Sequence, residues 1–244
     1  MLIPIIISTF IISLGGFAGV LTLTLQKDKL SKILLLLVAF SAGALMGGAF
    51  LHLLPEGLEL LGSGIFPVVL FSFVFFFVVE KILHWRHCHK GECDVHTFGS
   101  MNLVGDAIHN FIDGMIIAAA FMADFRLGVT STIAVALHEI PQEIGDFGVL
   151  LYSGFSVKKA LTSNVAVAMT AVLGGVVGYY LSSFIENISS FLIPFAAGGF
   201  IYIASSDLMP EIRKEKSLRK SMSSMGLFLA GIILMAVLKI IGGE

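Results

Sequence analysis

Residues 138–146 read His138-Glu139-Ile140-Pro141-Gln142-Glu143-Ile144-Gly145-Asp146, which puts four ionisable side chains into one otherwise apolar stretch. Upstream, His109-Asn110-Phe111-Ile112-Asp113-Gly114 repeats the combination of imidazole, amide and carboxylate. Imidazole with carboxylate is a ligand set for zinc, iron or manganese. It is too nitrogen-rich for a dedicated calcium or magnesium cage. A charge at a bilayer centre costs roughly 2.5–3.5 kcal/mol or more unless a partner, water or ion compensates it. Two such segments in an apolar chain therefore suggest a path for metal ions through a membrane.

Spacing places these residues on two helical faces. Asp106, His109, Asn110 and Asp113 fall at i, i+3, i+4 and i+7, and His138, Glu139, Gln142, Glu143 and Asp146 follow the same rhythm. Laid antiparallel, the faces form one ladder. Asp113 is outermost, then come His109, Asn110, His138 and Glu139, and then Gln142, Glu143, Asp106 and Asp146 toward the inner side. Glu143, Asp146 and Asp106 are read as a release path, with Asp106 alternatively orienting a histidine. Pro141 has no N–H to offer the Leu137 carbonyl, so the helix should kink there and free a backbone acceptor to line a cavity.

The elements that must carry this ladder are membrane helices. Of 244 residues 57% are hydrophobic and only 13% charged, with a mean hydropathy of +0.96; soluble domains carry about 25% charge. Apolar stretches long enough for the ~30 Å hydrocarbon layer lie near 2–25, 33–54, 65–84, 99–123, 128–152, 158–184, 190–209 and 222–242. The first lacks the basic start of a signal peptide and is read as a retained helix. Alternate loops hold thirteen Lys and Arg, from Lys27 to Lys220, against Arg126 and Lys239 on the other side. That bias places both termini outside. Nothing in a net charge of −2 suggests nucleic acid.

Two segments echo each other: His52-Leu53-Leu54-Pro55-Glu56 and Asp207-Leu208-Met209-Pro210-Glu211. Such pairs of opposite orientation mark inverted-repeat transporters, here three, two and three helices. His52 and Glu56 suggest an entrance funnel. Between the third and fourth spans, a cytosolic loop (85–97) and its edges hold His84, His87, Cys88, His89, Cys93 and His96. The spacing is not that of a structural zinc site, and a flexible tract that catches or senses metal fits it better. The zincin motif H-E-x-x-H is broken by Gln142, which weighs against an intramembrane zinc hydrolase. A channel-like pore and a non-transporting sensor are the other rivals.

These motifs resemble those of the ZIP (Zrt-, Irt-like) divalent metal transporters. His109–Gly114 is similar to the family's fourth-helix motif, His138–Phe147 to its fifth, and Gly43–Glu56 and Ala197–Ala204 to its second and seventh. The resemblance implies uptake of zinc, with cadmium, iron or manganese as further cargo, toward the cytosol. It implies a homodimer in a lipid bilayer and an elevator motion of spans 1, 4, 5 and 6 against 2, 3, 7 and 8. One metal would be held by His109, Asp113, His138 and residue 142, and a second by Asn110, Glu139 and residue 142 with help from span 6. Gln142 stands where the family has His or Glu, and span 6 offers only Ser163, Asn164 and Thr170. One well-formed site is therefore expected. The short loops suggest a prokaryotic cytoplasmic membrane, and no enzymatic activity is expected.

Overall fold

A chain in hydrocarbon must satisfy its backbone groups internally, and a helix does this within one segment. In the computed structural model, which describes residues 1–20, 23, 27–85, 95–185 and 188–242, every regular element among the described residues is helical. Helix α1 (Leu2–Ser13) tightens into 3₁₀ turns over Leu14–Val20. Helix α2 (Lys27–Gly48) passes through a π-turn at Ala49–Leu53 into α3 (Leu54–Leu61). Gly62, at φ 57°, turns the chain toward α4 (Ile65–Trp85). Helices α5 (Val95–Ala123) and α6 (Phe125–Tyr152) follow. They precede α7 (Val157–Ala168), α8 (Thr170–Phe184) and α9 (Ile188–Ile203). A second π-turn, Ala204–Leu208, leads to α10 (Met209–Arg213), and α11 (Leu218–Gly242) closes the bundle.

By length and composition, six described stretches can cross a bilayer, where eight were expected. Two physical causes account for the difference. Ile33–Ile82 runs as one apolar stretch of 50 residues although Gly62 divides it. Phe125–Tyr152 is long enough, but it carries Arg126, Glu139, Glu143 and Asp146.

The echo between the two halves is present in the backbone. Ala204–Leu208 lies 155 positions after Ala49–Leu53, both are π-turns, and Pro210 lies the same 155 after Pro55. Leu14 (φ −66°, ψ −17°) and Met169 (φ −65°, ψ −12°), where α1 tightens and where α7 breaks into α8, keep that offset. Packing is reciprocal too. Helix α2 lies on the second π-turn and α9 on the first, while α11 packs on α2 as α4 packs on α9.

Helices α5 and α6 are joined through Asp124, whose carboxylate caps α6 by accepting from the N–H of Arg126 (2.7 Å) and Leu127 (3.1 Å). So short a link forces an antiparallel pair with one register. Asn102 meets Asp146, Asp106 meets Gln142 and His109 meets His138. The carbonyl that Pro141 frees is not left open. The Ser41 hydroxyl of α2 donates to Leu137 O at 2.5 Å, which corrects the expectation of a bare acceptor lining a cavity. The Leu51 carbonyl, deprived of an N–H by Pro55, likewise accepts from Lys239 Nζ at 2.7 Å.

Losing one such donor strands a buried carbonyl, at about 1–3 kcal/mol. Ser41→Ala is therefore expected to lower the thermal midpoint in detergent by several degrees while zinc affinity stays within threefold. An unchanged midpoint would mean that the carbonyl finds another donor.

Candidate metal centre

Because α5 and α6 are locked in register, His109 and Asp113 from one and His138 and Glu139 from the other converge on one point. One ligand atom from each lies within 4.8 Å of all the others. His109 Nε2 stands 3.1 Å from His138 Nε2, 3.3 Å from Glu139 Oε1 and 3.6 Å from Asp113 Oδ2. His138 Nε2 stands 3.1 Å from Asp113 Oδ2 and 3.4 Å from Glu139 Oε1. A tetrahedral zinc shell with bonds of about 2.0–2.1 Å has edges of roughly 3.3 Å. Five of the six edges thus already stand near the spacing of a coordination shell.

The cage is dry and rich in acceptors. Asp113, His138 and Glu139 are buried, and only the His109 side chain retains some exposure, 15%. Asp113 Oδ2 and Glu139 Oε1 are buried without a hydrogen-bond partner. Buried acceptors in a native core are nearly always satisfied, so this pair fits a cation. Two carboxylates with two neutral imidazoles balance a divalent charge. His138 is also oriented from behind, its Nδ1 lying 3.3 Å from the Ala134 carbonyl. That contact leaves Nε2 to face the cage, the usual arrangement behind a metal-binding imidazole.

Two residues expected at the metal stand elsewhere. Gln142 Nε2 donates to Asp106 Oδ1 at 3.0 Å, and Asn110 Nδ2 donates to the same oxygen at 3.0 Å. Glu139 occupies the fourth corner that sequence reasoning gave to residue 142. Asp106 gathers amides, where it had been read as orienting a histidine or guiding release.

Farther along α6 from the cage, Asp146 Oδ1 accepts from Asn102 Nδ2 at 2.8 Å. Glu143 is fully buried, and its Oε2 accepts from Asn164 Nδ2 at 2.5 Å. Asn164, one of the span 6 candidates, also reaches the carbonyl of Gly16 at 3.4 Å. Thr170 donates to the Ala107 carbonyl at 2.9 Å, and Ser163 is half-buried.

His52 is 3% exposed, with Nε2 2.9 Å from the Met235 carbonyl, so it packs against α11 where an open mouth was expected. Glu56 is half-buried in the first turn of α3. The backbones of His84 and His96 lie at the ends of α4 and α5, while His87, Cys88, His89 and Cys93 lie outside the described residues. Sequence reasoning passed over Asn102 and Ser41. The one signal for Ser41 was a lone hydroxyl in an apolar run.

An apolar helical bundle with a dry imidazole–carboxylate cage between two of its helices is a metal-handling membrane protein. The profile described as ZIP Zinc transporter matches residues 1–97 and 86–239. The chain is 31% identical over 278 residues to the zinc transporter ZIP13 homolog of Drosophila melanogaster, which covers 85% of this chain and 78% of that one. It is 31% identical to zinc transporter YKE4 of Saccharomyces cerevisiae, covering 77% of this chain and 63% of the yeast protein. Human zinc transporter ZIP10 is 40% identical over 149 residues, covering 55% of this chain and 18% of the human protein. This chain belongs to the ZIP zinc transporter family, a family of transporters and not of enzymes. It spans less than two thirds of the yeast relative. These relatives are all eukaryotic, so they lend no support to a prokaryotic membrane.

Proposed function

We propose that this chain carries a divalent transition metal, zinc foremost, across a membrane toward the cytosol. Cadmium, iron and manganese are the further cargo. The observation that carries the reading is the four-cornered cage of His109, Asp113, His138 and Glu139, with edges at coordination spacing. One metal is held there, and Asn110 and Gln142 serve Asp106.

Eight membrane helices in a three–two–three inverted repeat, with both termini outside, form the carrier. The repeat at 155 residues and the reciprocal packing of α2 with α9 support that plan. In an elevator motion the body holding α5 and α6 slides against the body holding α2, α4, α9 and α11. Two copies associate in the bilayer. Glu143 and Asp146 lie on the inner side of the cage, Glu56 stands on the outer side, and the His/Cys loop catches arriving metal.

The test is zinc influx into liposomes holding a trapped fluorescent indicator, comparing wild type with His109→Ala. Saturable influx in wild type, at least ~10-fold lower in the variant, is the expected outcome. Stoichiometric binding by wild type without any flux would sink the transport reading and leave a sensor.

A further inference from the structure

His109 is the one corner of the cage with appreciable exposure, and it is also the corner that lines a cavity. The cavity has a volume of about 130 Å³ and is walled by α4, α5 and α9 through Phe76, Val79, Ile108, Ile112 and Ile203. That is room for several waters. Beyond the apolar wall it holds two polar side chains from outside the cage, Glu80 of α4 and Tyr202 of α9. The Tyr202 hydroxyl donates to Glu80 Oε2, and its ring is fixed edge-on to Phe73 with centroids 5.1 Å apart. Tyr202 is 5% exposed, whereas Glu80 is exposed. The cavity therefore links a buried imidazole to a carboxylate on the helix surface.

A carboxylate on a membrane helix is costly unless it serves an ion or a partner. Glu80 precedes Lys81, Arg86 and Lys90, on the side where the basic residues accumulate, which is the cytosolic side. Leaving the cage past His109, a cation meets the Glu80 carboxylate as its next anionic oxygen along this cavity. A single carboxylate holds a divalent metal far more weakly than two imidazoles and two carboxylates, so the ion can hand over to water there.

We propose that Glu80, held by Tyr202, forms a transient divalent-cation site at the cytosolic outlet of the cage. This rests on the transport reading above, and it adds the route by which the metal leaves. Glu80 and Tyr202 act on the rate of release and leave the depth of binding unchanged.

Three variants in the zinc liposome assay, each paired with a zinc titration of the purified protein, test this. Glu80→Gln removes the charge, Tyr202→Phe removes its hydroxyl partner, and Val79→Trp fills the cavity. The expected result is a maximal rate at least fivefold lower in Glu80→Gln and Val79→Trp and about twofold lower in Tyr202→Phe. The equilibrium zinc Kd should stay within twofold of wild type. Wild-type rates in Glu80→Gln and Val79→Trp would overturn the outlet. A zinc Kd weakened tenfold or more would overturn it as well, because Glu80 would then support the cage itself. If Glu80→Gln does not fold, Tyr202→Phe decides, and an unchanged rate there refutes the proposal. Influx in wild type that is lost in His109→Ala but kept in Glu80→Gln removes only the outlet. Absence of wild-type influx removes the transport reading itself.

Discussion

Zinc binding and zinc uptake are both expected to be lost in His138→Ala, while the protein should still elute as a folded species from gel filtration. Mutating a group behind a ligand already costs 10–100-fold in metal affinity, so deleting the ligand itself is expected to weaken zinc by at least ~100-fold. His138 is the most demanding corner to remove. It is completely buried and contacts His109, Asp113 and Glu139 through the same Nε2. With the imidazole gone, the two carboxylates face each other across a dry space with only His109 between them. Isothermal titration on the purified protein reads the loss, and a Kd within threefold of wild type would mean that the cage does not hold the metal.

The second large effect comes from a methyl group. A Cβ on Gly114 would run into the backbone carbonyl of Ala171 and the backbone nitrogen of Gly175. The reverse contact is equally close, since a Cβ on Gly174 would strike the Phe111 carbonyl. Neither wall is a side chain that can swing aside, so α5 and α8 must separate. Helices in lipid are held by such close approach and not by apolar burial, and overpacking costs typically 1–3 kcal/mol.

Gly114→Ala is therefore expected to cut the yield of folded protein several-fold and to lower its thermal midpoint. It should also weaken zinc binding, because Asp113 is the adjoining residue. Gly145→Ala is the control: nothing lies within 4 Å of its Cβ position, and the midpoint should not fall. Equal behaviour of the two variants would remove the packing argument.

The polar ladder was legible in the sequence because helical period alone puts His109 with Asp113 and His138 with Glu139 on facing stripes. The antiparallel order followed from the short link between the two helices. The sequence did not disclose which polar residues face the centre and which face one another. Asp106 takes the amides of Asn110 and Gln142, and that choice depends on rotamers one turn below the cage.

Contacts between helices distant in sequence were equally hidden. Ser41 meets Leu137 across 96 positions, and His52 meets Met235 across 183. Neither depth nor neighbour can be read from a lone polar residue in an apolar run. The proline echo was visible, but not its geometry: proline marks where the ladder must break, and packing decides that both breaks become π-turns.

The two imidazoles also differ in how they are held and in what reaches them. His138 is sealed and braced by Ala134, so its lone pair is aimed before any ion arrives, and the cost of orienting it was met when the protein folded. His109 borders the cavity and keeps 15% of its side-chain surface. One ring behaves as a hinge post and the other as the door. On the transport reading, the bond to His109 is therefore expected to open first and the bond to His138 last.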